Sequence, residues 1–313
     1  MNEPWYVKAT IEYRKDRYMD HLSEKDLFQR AKDIILNCIQ INRNGKISFD
    51  TSDDYGQFFW VRFSHIVEEY NIRYGDFRKK FDEQNVHGLE IPKNFQLIDK
   101  VCEQINRFDS NENIPILYKY GKLTYLNDYL ENGKLRISPA SSYNDSSLNH
   151  AMKDDELNFT SQIHPSKLRM ELLDKDGNFK SNIKPLERKL VFKSTTDFYV
   201  FCLSRIFSPR LFVDFDNADG CLVIKDVAKF IKRFTESFYK NNDNFFGLLD
   251  NAKYVDPLFT TIQEYDLYFS KHFRYAYQRE FRICFVPQKD IKQLKTIELQ
   301  LGCLNDCCEL IKI

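Results

Sequence analysis

Two hydrophobic periods divide the chain. Over the first hundred or so residues, apolar side chains recur three and four positions apart. Leu27, Phe28, Ala31, Ile34, Ile35 and Cys38 form one stripe, and Phe59, Phe63, Ile66, Val67 and Tyr70 a second. Leu97, Ile98, Val101, Cys102 and Ile105 form a third. That spacing puts each set on one face of an α-helix. Ser23, with Asp26 three residues on, is the predicted N-cap of the first. Asn44-Gly45 signals a turn and residues 46–49 a short strand. Asp109-Ser110-Asn111-Glu112-Asn113 is polar, so a boundary is expected there, with a mainly helical region over 1–112 and a second domain over 113–313.

Beyond it the texture changes. Apolar and β-branched runs predict strands at 116–120, 134–138, 190–192, 198–204, 220–224, 278–286 and 297–301. Thr124 is expected to cap a short helix closed by Gly133. Asp226 is expected to cap another, with Val227, Phe230, Ile231, Phe234 and Phe238 as its stripe. A further helix is predicted near 262–275, and residues 149–185 read as a polar, irregular excursion. Six or seven strands with few helices between them predict an α+β domain rather than a doubly wound one.

Composition narrows the picture modestly. The chain has 313 residues, 42% hydrophobic and 29% charged, with 27 Phe and 18 Tyr, so its core is built on rings. Formal charge is zero, so no global field steers it to nucleic acid or anionic membrane, although a local basic groove remains compatible with a nucleic-acid substrate. Neither an export signal nor a membrane span is expected, which predicts a cytoplasmic protein. Eight cysteines in such a chain read as reduced core residues. Cys303, Cys307 and Cys308 cluster without a second Cys/His pair, and no metal site is assigned to them.

The most informative stretch is Gln278-Arg279-Glu280-Phe281-Arg282-Ile283. In a strand, Gln278, Glu280 and Arg282 would share one face. A buried carboxylate beside an amide is costly unless both are hydrogen-bonded, so such a face is structural or a site. Gln-x-Glu is also the spacing in which ADP-ribosyltransferases place their catalytic glutamate.

Several segments together extend that likeness. Leu117-Tyr118-Lys119-Tyr120, Asn132-Gly133-Lys134-Leu135-Arg136-Ile137-Ser138-Pro139, Tyr143-Asn144-Asp145, Gly220-Cys221-Leu222-Val223-Ile224 and Lys271-His272 with Gln278-Arg279-Glu280 resemble a bacterial domain family linked to abortive phage infection. That family resembles distant ADP-ribosyltransferase toxins. The likeness covers roughly residues 114–301, and Gln278 stands where the family carries an acid. It implies a transferase-like mixed or antiparallel sheet core and NAD as substrate. It further implies a macromolecular acceptor, RNA or DNA, and an antitoxin or inhibitory partner.

Breaking the nicotinamide–ribose bond passes through an oxocarbenium-like transition state that a carboxylate stabilises. The resemblance gives that role to Glu280, with Gln278 orienting the acceptor. Lys119, Arg136 and Arg205 are candidates for the pyrophosphate, Tyr118 or Tyr120 for the nicotinamide wall, and Ser138 and Asn144 for polar contacts. Each also has a plainer reading: Glu280 and Arg282 as an intra-sheet ion pair, the tyrosines as core, Ser138 and Asn144 as turn residues, Arg205 as a solvated strand end, His272 as a helix-surface histidine. A second function class is a non-enzymatic module that binds a phage or host component. A third is a metal-dependent nuclease using Asp174 or Asp176 with Glu187-Arg188-Lys189. No Gly-rich phosphate loop and no Gly-x-Ser-x-Gly elbow occurs.

Overall fold

The computed structural model describes residues 4–41, 45–49, 54–84, 95–105, 116–167, 170–183, 189–261 and 263–313. The boundary expected at 109–113 lies outside the described residues. Helices α1 (Trp5–Lys15) and α2 (Glu24–Cys38) lead into a hairpin of β1 (Ile39–Ile41) and β2 (Ile47–Phe49). They are followed by α3 (Asp54–Tyr74), α4 (Phe77–Glu83) and α5 (Phe95–Ile105). Then come β3 (Leu117–Gly121), α6 (Leu123–Asn132) and β4 (Lys134–Pro139). An excursion follows, holding β5 (Asn158–Ser161), the hairpin β6 (Met170–Leu173) and β7 (Phe179–Ile183), and β8 (Leu190–Lys193), which pairs with β5. The chain returns through β9 (Tyr199–Ser204), α7 (Pro209–Asp214), β10 (Gly220–Ile224), α8 (Val227–Tyr239) and β11 (Phe245–Asn251). Last come β12 (Lys253–Val255), β13 (Ser270–His272), β14 (Glu280–Pro287), β15 (Ile297–Gln300) and β16 (Cys308–Lys312).

The fold class is α+β. Its principal sheet has eight strands: β11-β14-β9-β3-β10-β16 in order, with β4 on β9 and β15 on β4, all paired antiparallel. Strand β9 is shared: β14 runs along one side, while β4 takes its beginning at Tyr199 and Val200 and β3 its end at Ser204. Under the sheet, α8 packs Phe230, Phe234 and Phe238 against Phe201, Ile283 and Phe285. Phe238 stacks on Phe285 with ring centroids 3.6 Å apart. As expected, Asp226 caps α8 by accepting the Lys229 N–H, and Ser23 caps α2 by accepting that of Asp26. Gly133 ends α6 with φ +63, and a Cβ there would collide with the Gly302 carbonyl 2.0 Å away.

The helices of the first hundred residues are fastened to the sheet domain. Tyr13, Tyr18, Met19, Ala31, Ile34 and Tyr70 share one core with Leu258, Phe273 and Ala276. Polar contacts cross the same seam. Arg30 forks onto Asp256 at 2.6 and 2.8 Å, and Asn37 bonds the carbonyls of Phe273 and Arg274 and the N–H of Tyr277.

Three expectations need correction. The helix near 262–275 is absent from the described residues there, which hold turns, β13 and a 3-10 segment, Phe273–Gln278. The Asp266 carboxylate accepts the N–H groups of Tyr268 and Phe269, a local competitor for helical bonds, and β13 pairs with β12. Thr124 lies inside α6; the capping acceptor is Asp219, 2.6 Å from the Leu123 N–H. The last catalytic-candidate strand starts at Glu280, not Gln278, because Arg279 takes a left-handed conformation at φ 48.

Phe238→Ala is expected to cost about 3–5 kcal/mol, measured by denaturant unfolding, because it empties a fully buried ring site. A loss under about 1 kcal/mol would contradict this packing.

Candidate functional site

Alternation along β14 puts Glu280, Arg282 and Cys284 on the upper face, away from α8. Glu280 lies opposite Ser204, which lies opposite Tyr118 of β3. Arg279 turns the chain between Gln278 and Glu280, yet both side chains still converge on one group, the Lys271 ammonium delivered by β13. Lys271 Nζ lies 2.5 Å from Glu280 Oε1 and 3.4 Å from Gln278 Oε1. The other Glu280 oxygen accepts from Arg282 Nε at 3.0 Å, so the expected intra-strand ion pair is present. Arg282, fully buried, forks onto Glu156 at 2.8 and 2.9 Å and donates to the Tyr268 carbonyl. Lys271 also lies 3.8 Å from both Asp154 and Glu156.

Five ionisable groups thus share one largely dry volume: three carboxylates and two cations. Burial would raise the Glu280 pKa, but Lys271 and Arg282 outweigh it and hold the group at about 2. Burial lowers the Lys271 pKa, and Glu280, Glu156 and Asp154 more than reverse that. The third carboxylate bears the imbalance. Burial, reinforced by Glu156 and Glu280, pushes Asp154 up to about 7, with only partial relief from Lys271 and Arg282. Two anions suffice for two cations, so the Asp154 proton is the adjustable charge.

Asp154 also faces a cleft of about 280 Å³, lined among others by Lys271, Arg30, Arg274, His272 and Phe159. Its side chain is 17% exposed, against 7% for Glu280 and 0% for Arg282. The cleft is the point where α2, the excursion and β13 meet, so the N-terminal helices form one of its walls. Phe159 and Tyr265 stack 5.0 Å apart and line it as a ring surface. Among the described residues, the buried Arg30 Nε and Arg274 Nε have no hydrogen-bond acceptor. A cleft with a proton carrier near neutrality, guanidinium groups in its lining and an aromatic wall suits a small polar ligand with anionic groups.

Comparison with family models, with curated proteins and with solved structures finds no match for the chain. The site therefore rests on its own geometry.

The remaining sequence candidates do not converge on it: among the described residues no hydrogen bond or ion pair joins Tyr118, Lys119, Tyr120, Arg136, Ser138, Asn144 or Arg205 to Gln278 or Glu280. Tyr118 and Tyr120 are buried with Leu211, Phe212 and Cys221, the plainer of their two readings. The Tyr120 hydroxyl donates to the Ile206 carbonyl and accepts from Ser208 N–H. Lys119 donates to the Cys202 carbonyl, and burial lowers its pKa. Arg136 is exposed on β4 opposite Glu298, Ser138 pairs with Val200, and Asn144 is exposed at the end of a 3-10 turn. Arg205 is exposed, and its backbone N–H bonds the Arg279 carbonyl. His272 is not on a helix surface; its Nδ1 accepts the Arg274 N–H, and burial holds its pKa well below the usual value.

For the nuclease arrangement, Glu187 and Arg188 lie outside the described residues. Asp174 serves the β6–β7 turn by accepting from Asp176 and Asn178 N–H groups.

Asp154, Glu156 and Lys271 carry the site without a sequence-level role. Acids in a polar stretch read as solvated, and only the tertiary fold buries them. One signal existed: Arg282 in a strand otherwise apolar demands a buried anion, and Glu280 alone leaves half its guanidinium unsatisfied.

Asp154→Asn is expected to change the pH dependence of stability. An acid whose folded pKa, about 7, exceeds its unfolded value of 3.8 keeps a proton that the unfolded chain releases. Wild-type stability therefore falls as pH rises from about 4 to 7, by at most about 4 kcal/mol, and the variant lacks that slope. Parallel slopes in denaturant titrations across this range would contradict the assignment.

Proposed function

We propose that the cleft beside Lys271 is the catalytic site of an enzyme that cleaves the nicotinamide–ribose bond of NAD and passes ADP-ribose to a macromolecule. The observation that supports this reading most is the convergence of Gln278, Glu280 and Asp154 on one ammonium at a cleft. Asp154, when ionised, gives the cluster its one net negative charge where an oxocarbenium-like ribose would develop positive charge. Asp154, poised near neutrality, accepts the proton of the attacking acceptor group. The positive charge of Arg30 and Arg274 in the cleft lining suits the pyrophosphate, and the Phe159–Tyr265 surface suits a base ring, in place of Arg136, Arg205, Tyr118 and Tyr120. Glu280 itself is a positioning residue in this arrangement, because both its oxygens are already engaged. RNA or DNA is the favoured acceptor class by resemblance to related toxins, with an antitoxin as the restraining partner.

The same pairing of Glu280 favours a second reading, a transferase-like fold that only binds a phage or host component. With both oxygens on cations at 2.5 and 3.0 Å, Glu280 has no lone pair directed at a ribose hydroxyl without rearrangement.

Incubation with NAD labelled on its ADP-ribose moiety, with a cell lysate, separates the two. Wild type is expected to transfer label, and Asp154→Asn to lose about 10²–10⁴-fold in rate while still folding. Removal of label by nuclease or by protease names the acceptor class. Absence of both NAD binding and turnover would sink the enzymatic reading and leave the binding module. Among the described residues no helix is long and apolar enough to cross a membrane, so a lysate without added lipid is the first choice.

A further inference from the structure

A second cluster lies at a different seam. Asp20 and His21 occupy the connection between α1 and α2, and His164 lies in the excursion just after β5. His164 Nε2 is 2.8 Å from Asp20 Oδ1, and His21 Nδ1 is 4.0 Å from the same oxygen. All three ligand atoms lie within 4.8 Å of one another. The two imidazoles meet edge to face, with centroids 5.0 Å apart at 85°.

The decisive contact is behind the cluster. His21 Nε2 lies 3.0 Å from the Gln162 carbonyl oxygen, which can only accept. Nε2 therefore carries the proton, and Nδ1 presents a lone pair toward Asp20 and His164. A metal-ligating histidine is typically held this way, its far N–H on a backbone carbonyl that fixes tautomer and ring orientation. The His21 ring is 5% exposed, so its orientation is set, while Asp20 at 45% leaves the outer side open to water.

We propose that Asp20, His21 and His164 bind a divalent transition-metal ion, zinc by ligand set, with water in the fourth position. Two imidazoles and one carboxylate suit zinc, and bonds of about 2.0–2.2 Å place neighbouring ligand atoms about 3.3 Å apart in a tetrahedron. The observed separations of 2.8 and 4.0 Å bracket that value, so side-chain shifts of about 1 Å complete the site. The ion clips the α1–α2 connection to a segment 144 residues away in sequence. It does not depend on the activity proposed for the cleft.

The test is titration of chelator-treated full-length protein with zinc by calorimetry and with cobalt by visible absorption. One equivalent is expected to bind saturably, with tetrahedral cobalt bands and no thiolate charge-transfer band. Zinc is expected to raise the melting temperature of wild type. His164→Ala and Asp20→Asn, the latter at an exposed position, are each expected to weaken binding at least about tenfold and to abolish that rise. Absence of saturable binding would overturn the proposal. So would binding unchanged in both variants, or a thiolate band, which would place the ion at Cys303, Cys307 and Cys308. In each of these cases Asp20–His164 is a simple ion pair.

Discussion

The polar network above the sheet depends on one buried guanidinium. Arg282 is fully enclosed, and an ion of that kind is tolerated only with its donors satisfied. The structure meets that demand with one anion from its own strand, Glu280, and one from a distant segment, Glu156 of the excursion. The excursion is consequently not a free loop. Its 154–161 portion is held down by Arg282 and Lys271, and Lys271 is held in turn by β13 pairing with β12. Removing one member of such a network leaves another charge buried and unpaired, a cost of about 3–5 kcal/mol. The same closure explains why Glu280 is strongly acidic while Asp154, third in line for two cations, is not.

Much of the fold is legible in the sequence where local chemistry and tertiary context agree. Asp226 with its Phe230, Phe234 and Phe238 stripe, and Ser23 with Asp26, declare their helices through caps and period. Strands β3, β4, β9 and β10 declare themselves as apolar runs bounded by turns. Legibility fails where tertiary contacts set the conformation. Tyr268, Phe269, Phe273 and Ala276 have helical spacing, yet Asp266 and the pairing with β12 take their backbone elsewhere. β11 is not legible in the sequence because its Leu248 and Leu249 are exposed edge residues beside Gly247, without the alternation of a half-buried strand.

The site shows the same division. The alternation of Glu280 and Arg282 follows from sequence, as does the ion pair between them. Convergence of Gln278 with Glu280 on Lys271 does not, because it depends on the left-handed turn at Arg279 rather than on strand geometry. Asp154 and Glu156 stand in a run of acids that any sequence reading would send to solvent. What reverses that is the burial of Arg282 beneath them. The N-terminal helices matter for a related reason: Arg30 and Arg274, pinned to Asp256 and Asp33, bring the helical layer to the rim of the cleft.

The central claim is the charge balance, two anions for two cations with Asp154 as the adjustable third. It is tested most directly by following the Asp154 carboxyl carbon through a pH titration by NMR, in wild type, Glu280→Gln and Lys271→Met. The account requires a wild-type midpoint near 7, lower when Glu280 loses its charge and higher when Lys271 does. A midpoint in the ordinary aspartate range near 4, unmoved by either substitution, would contradict it.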